Sequence, residues 1–249
     1  MFSVSIKSKL LSCSALVFVI VSPVAAETNA SKWSGLNAFA GASYSVGQFS
    51  GLADASAYGG KDYASTSTGI DFFEKGPISG FVGVGYDFEI APNLVAGVRG
   101  LARFGGSTGF SGSFDDSFGG KSTGGGRLDY FGSIGNSLEV AGKFGWTPNE
   151  NALIYVLAGV SAAKYNVGGE YSPNIPAPNF VWEGSGTVFG PTIGAGVEIA
   201  LGNQLSLGLE VTHTMFRDAA SSYEDKDLFG STNMKANRSS VSVFLGKRF

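Results

Sequence analysis

The chain has 249 residues, with 17 Lys+Arg against 20 Asp+Glu, one His, one Cys and a formal net charge of −3. An acidic chain without basic runs is a poor nucleic-acid binder, and a single cysteine excludes disulfides within the chain and cysteine-rich metal sites. Glycine is present at 38 positions, about twice its usual share of roughly 7%, which suits a tightly curved sheet that packs large side chains over small ones.

At the N-terminus Lys7 and Lys9 precede the mostly apolar run Leu10 to Val21, and Pro23-Val24-Ala25-Ala26 places small residues before Glu27. This pattern resembles a secretory signal peptide ending at Ala26. A spanning helix would need roughly 20 apolar residues, and Ser12, Cys13, Ser14 and Pro23 interrupt the run. The expected division is a signal peptide over 1–26 and one barrel domain over 27–249. Cys13 falls in the removed part. Loss of residues 1–26 takes away two lysines and no acid, leaving 15 Lys+Arg against 20 Asp+Glu.

From there the chain alternates apolar and polar residues with period two, as only a strand does. Eight strands are predicted, near Leu36 to Val46, Ile78 to Phe88, Leu94 to Phe104, Tyr130 to Trp146, Leu153 to Tyr165, Phe189 to Ala200, Leu205 to Phe216 and Arg238 to Phe249. In the second, Ile78, Val82, Val84, Tyr86 and Phe88 share a face opposite Ser79, Gly83, Gly85 and Asp87. In the third, Leu94, Ala96, Val98, Ala102 and Phe104 oppose Arg99 and Arg103. A soluble sheet would need a second layer over its apolar side, and no helices are predicted to supply it. Strands of roughly 9 to 11 residues are also the length that crosses a bilayer when tilted. The expected fold is all-β: an eight-stranded antiparallel transmembrane β-barrel with its apolar face to lipid.

The connections alternate in length. Short turns at Ile90 to Asn93, Thr147 to Asn151 and Leu201 to Gln204 each carry Asn with Pro or Gly, which are turn formers. Gly47 to Pro77, Gly105 to Leu128, Gly168 to Thr187 and Arg217 to Asn237 are long and polar and read as four outer loops, with short periplasmic turns opposite. Two aromatic belts are expected: Tyr44, Phe104, Tyr130, Tyr165 and Phe189 near the outer strand ends, and Tyr86, Phe88, Phe144, Trp146, Tyr155 and Phe249 near the inner ends. Asn136 falls on the lipid face of its strand, and the strongly apolar strand Leu153 to Tyr165 leaves its facing open.

The inward faces carry the charge. Asp87, Glu89, Glu139, Glu198 and Glu210 share the interior with Arg99, Arg103, Lys143, Arg238 and Arg248, five of each sign. An isolated ion there would be costly, so the matched set reads as a lumen salt-bridge network, with Asp87 within diagonal reach of Arg99. A charge-lined channel is the alternative and ordinarily needs more strands or an excess of one sign. A hydrolase, acyltransferase or protease would need a His beside a Ser or a carboxylate. The only histidine, His213, has Val211 and Met215 as same-face neighbours on its strand, so no catalytic residue, metal ligand or cofactor is expected. Asp115-Asp116 and Glu224-Asp225-Lys226-Asp227 read as solvated loop charges rather than a cation site.

Thr192-Ile193-Gly194-Ala195-Gly196-Val197-Glu198 followed by Leu205-Ser206-Leu207-Gly208-Leu209-Glu210, with Trp33-Ser34-Gly35-Leu36 before the first strand, resembles the small opacity-type, porin-like barrel proteins of alphaproteobacterial outer membranes. Leu205, Val211 and Lys247 depart from residues frequent in that family. The resemblance implies a C-terminal assembly signal at Val243, Leu245 and Phe249, read by the barrel-assembly machinery. It also implies location in the Gram-negative outer membrane, contact with lipid and lipopolysaccharide, and a role in envelope integrity and surface contact. The expected protein is a monomer that is no enzyme and binds no nucleic acid. Its outer loops would meet any surface ligand, and no peptidoglycan-binding module is expected after Phe249. A small-solute pore and a lipid-modifying enzyme using His213 are the rival expectations.

Overall fold

The computed structural model describes residues 32–59, 62–115 and 126–249. The proposed signal peptide lies outside the described residues. Nine antiparallel strands form a closed ring: β1 Gly35–Gly59, β2 Asp62–Ala91, β3 Leu94–Phe104, β4 Thr108–Asp115, β5 Gly126–Asn149, β6 Ala152–Pro173, β7 Phe180–Gly202, β8 Leu205–Asp225 and β9 Leu228–Arg248. Except for β3 and β4, neighbours in sequence are neighbours in the sheet; β9 returns to pair with β1, and β3 pairs with β5.

The ninth strand arises where the third was expected to end. Gly105 adopts φ +80 and turns the chain out of the ladder after Phe104; pairing resumes at Thr108. β3 and β4 then follow one another along the same side of β5, with Arg103 opposite Ser137 and Thr108 opposite Ile134. β5 bulges at the same level, between Ile134 and Ser137. Asn136 sits in that bulge and not within a regular lipid-facing row. Beyond Gly80 no backbone ladder joins β2 to β4 among the described residues, and the seam between them is closed by side chains, with Phe72 stacked on Phe110 at 5.0 Å.

The four expected long loops are largely strand. β1 and β2 continue through most of 47–77, paired from Val46 and Lys75 out to Gly59 and Asp62. β8 and β9 continue to a turn at Lys226 and Asp227, β6 and β7 leave only 174–179 between them, and β4 occupies part of 105–128. The physical cause is an inversion of polarity along each wall. On β1 the outward residues are Ala38, Ala40, Ala42, Tyr44 and Val46, then Gln48, Ser50, Asp54 and Ser56, with Leu52 and Tyr58 the apolar exceptions. The inward ones are Asn37, Ser43 and Ser45, then Phe49, Ala53, Ala55 and Ala57. On β1 the side-chain phase never slips, yet the greasy side changes from outside to inside between Val46 and Gln48; on β2, β5 and β8 a bulge shifts the phase by one residue.

Each wall therefore has two sections. The section nearer the chain termini carries an outward apolar band that on β2 runs from Ile78 to Ile90. Twelve residue-to-residue steps of ~3.3 Å give about 40 Å of strand, or about 30 Å along the axis at a tilt of ~40°, close to the height of a bilayer's hydrocarbon. Outward Tyr44, Phe104 and Phe189 mark one edge of it and Tyr86, Phe88, Phe144, Trp146 and Phe249 the other. Tyr130, Tyr155 and the half-buried Tyr165 leave the expected belts, since all three turn inward to the buried clusters or the lumen charges. The distal section has a polar outer wall and an apolar core in which Phe49, Phe110, Leu128, Trp182, Phe216 and Met234 pack together. The tight turns at the near end are made by Asn93, Asn203 and Gln204 with φ of 66, 50 and 66, a conformation that Asn tolerates well.

Candidate functional site: the barrel lumen

Inside the near section the expected charges converge from opposite walls. Arg99 on β3 donates through Nη1 and Nη2 to both carboxylate oxygens of Glu210 on β8, at 2.5 and 2.8 Å, and through Nη2 to Glu139 on β5 at 2.7 Å. The Tyr155 hydroxyl on β6 donates to Glu210 at 2.7 Å. One step nearer the termini, Asp87 accepts from Lys143 at 2.7 Å, Asn37 at 3.0 Å and Arg248 at 3.1 Å. Glu198 lies 3.5 Å from Lys143 and 3.4 Å from Arg248. All seven ionised groups are buried, so each pair acts in a medium where charge-assisted bonds are strong and an unpaired ion is costly.

The partners differ from the diagonal reading. Asp87 faces Gly97 in the β2–β3 register and is held by Lys143 and Arg248, while Arg99 reaches across the lumen. Glu89 is exposed at the rim, where its backbone N–H donates to Ser34 Oγ at 3.2 Å. Among the described residues the buried lumen charges are thus five cations against four carboxylates. Arg103 and Arg238 are buried too, but neither is within ion-pair distance of a described carboxylate.

Aromatic rings complete the filling. Phe39, Phe81 and Phe244 cluster at centroid separations of 5.6 to 6.4 Å, and glycines make the space: a Cβ at Gly83 would run into the Phe39 ring and one at Gly208 into the Phe244 ring. Trp33 lies beneath Arg248, whose guanidinium carbon is 4.5 Å from the ring centre. A cavity of ≈ 20 Å³ remains beside Asp87, Arg99 and Glu198, room for one water. Sequence reasoning missed Tyr155 and Trp33 as lumen groups. For Tyr155 the available signal was its phase with Leu153 and Leu157, masked by Ile154, Val156 and Ala158 on the other face.

His213 stands on the outer wall, and its Nδ1 lies 2.9 Å from Ser239 Oγ on the paired strand β9. That cross-strand serine is a neighbour which same-strand reasoning did not see. No bonded carboxylate continues the pair among the described residues. Of the acidic runs, Asp116 lies outside the described residues; among those described, no group of three or more His, Cys, Asp or Glu could hold a metal. Val243, Leu245 and Phe249 all face outward and are exposed. On the outer wall of the distal section an open groove of ≈ 390 Å³ crosses β4 to β7, past Ser111, Asp129, Glu170 and Val181.

The sequence matches the outer membrane protein beta-barrel domain over residues 11–248, nearly the whole chain. The chain belongs to that family. Its place is the Gram-negative outer membrane, crossed by strands; no helix among the described residues is long and apolar enough to do so. Among solved structures the chain is similar to the outer membrane protease OmpT from Escherichia coli, at 9% identity over 86% of this chain and 97% of that one, with a TM-score of 0.45. It is also similar to Neisserial surface protein A, at 12% over 87% and 98% with 0.38, and to the attachment invasion locus protein Ail of Yersinia pestis, at 14% over 80% and 98% with 0.30. No curated protein matches the chain.

Proposed function

We propose that this outer-membrane barrel is a plugged, non-catalytic wall element that strengthens the envelope and carries a surface-contact section outward. Counted around the ring, β3 and β4 form one stave, so the barrel is eight-stranded, of the opacity-type subgroup that residues 192–210 resemble. The termini are periplasmic after removal of residues 1–26. Among the described residues, projecting strands take the place of most of the long outer loops, with a short connection at 174–179 between β6 and β7. Val243, Leu245 and Phe249 serve the barrel-assembly machinery, and lipid and lipopolysaccharide bathe the apolar band. The distal wall and its open groove meet whatever surface ligand exists.

The observation that carries this reading is the interior: ion pairs and three phenylalanines fill the near section and an apolar core fills the distal one. Barrels of this girth are normally filled by side chains. The purified, refolded protein should give no steady conductance in a planar bilayer. Large cation-selective currents that scale with salt would replace the plug with a pore. The enzyme reading is not favoured, because the His213–Ser239 pair has no bonded acid to orient it.

A further inference from the structure

Between the ion pairs and the distal core lies a layer whose two cations form no ion pair with a described carboxylate. Arg103 is 6% exposed and Arg238 7%. Arg103 donates through Nη1 to Ser43 Oγ, and its Nε has no partner. Arg238 donates to Ser137 Oγ at 2.7 Å and weakly to the Gly135 carbonyl at 3.4 Å. Ser137 is the register partner of Arg103, so the Arg238 head is delivered beside the root of Arg103. Each guanidinium also rests near an aromatic ring, Phe81 at 5.7 Å and Phe216 at 5.3 Å. These contacts are hydroxyls, a carbonyl and π faces. They solvate a cation in part but neutralise nothing.

An arginine cannot shed its proton to escape the cost of burial. Among the described residues five buried cations face four buried carboxylates, a net excess of one positive charge, and the two cations of this layer are the ones without an ion-pair partner. We propose that the lumen binds one small monovalent anion, of the halide class, between Arg103 and Arg238. The guanidinium N–H groups and the Ser43 and Ser137 hydroxyls are its donors. A single negative charge closes the imbalance; a divalent oxyanion would reverse it and asks for more room between packed rings.

The probe is bromide. Crystals grown or soaked in sodium bromide should show an anomalous peak between the two guanidiniums in the wild type and none in Arg238→Gln, which removes the excess charge. In solution, unfolding in urea should be about 10-fold slower in chloride than in gluconate at equal ionic strength if chloride is present at roughly ten times its dissociation constant. That difference should vanish in Arg238→Gln and persist in Arg127→Gln, on the exposed distal wall. If Arg238→Gln fails to assemble, Arg103→Gln serves the same comparison, and the wild-type peak stands alone as a reading. Absence of the peak, bromide only at the protein surface, or an equal chloride response in the lumen variants would overturn the site and leave the two arginines hydrated by water.

Discussion

Glu210 and Asp87 each accept three bonds in the lumen, Glu210 two from Arg99 and one from Tyr155. Glu210→Ala strands a buried guanidinium with one carboxylate instead of two, and the expected loss is about 3 to 5 kcal/mol, the range for breaking a buried pair. Glu89→Ala at the exposed rim should stay within about 0.5 kcal/mol. Urea unfolding of the folded, heat-modifiable band separates the two outcomes, and equal effects would mean that Glu210 is solvated. At this scale the sequence was partly transparent. Alternation alone places Asp87, Arg99, Glu139, Lys143 and Glu210 on inward faces, whereas it reads Glu89 the same way because nothing in a period of two says where the lumen stops. Partner choice was opaque, since Arg99 finds Glu139 and Glu210 on strands far away in sequence.

The strands themselves were legible only where lipid wets them. A lipid-facing row of Val, Leu and Phe stands out against Gly and Ser, but beyond Val46 the outward row is mostly polar, with Gln48, Ser50, Asp54 and Ser56 around Leu52 and Tyr58, and past Phe49 the inward row shrinks to Ala53, Ala55 and Ala57. Such a stretch has the composition of a loop and the periodicity of a strand, and composition is the misleading signal. A direct consequence concerns insertions. An epitope tag at Asn174, between β6 and β7, should be tolerated and label intact cells. The same tag at Ser67, paired to Asp54 inside the β1–β2 ladder, should lower the yield of folded protein. Comparable folding and labelling at both sites would show that the distal ladder is dispensable.

For the whole molecule the closing contact is at the end of the chain. The Phe249 N–H donates to the Leu36 carbonyl at 2.9 Å, and Lys247 Nζ lies 5.5 Å from the Phe249 ring centre. Deleting Phe249 removes a belt ring and the bond that ties the last residue to the first strand, besides the proposed assembly signal. Unfolded, protease-sensitive protein should accumulate in the periplasm; normal heat-modifiable migration of the deletion variant would count against that role.

The inverted polarity of the walls has one more consequence. If the barrel sank further into the bilayer, Lys164, Arg217 and Lys235 on the outer wall would enter hydrocarbon, at up to about 2 to 4 kcal/mol each for a charge reaching the midplane. If it rose, the row from Ile78 to Phe88 would lift into water and lose roughly 25 cal/mol for every Å² of apolar surface uncovered. The protein floats at one waterline. A thicker or thinner membrane must adjust its own lipids around this barrel, because the barrel cannot ride up or down to meet it.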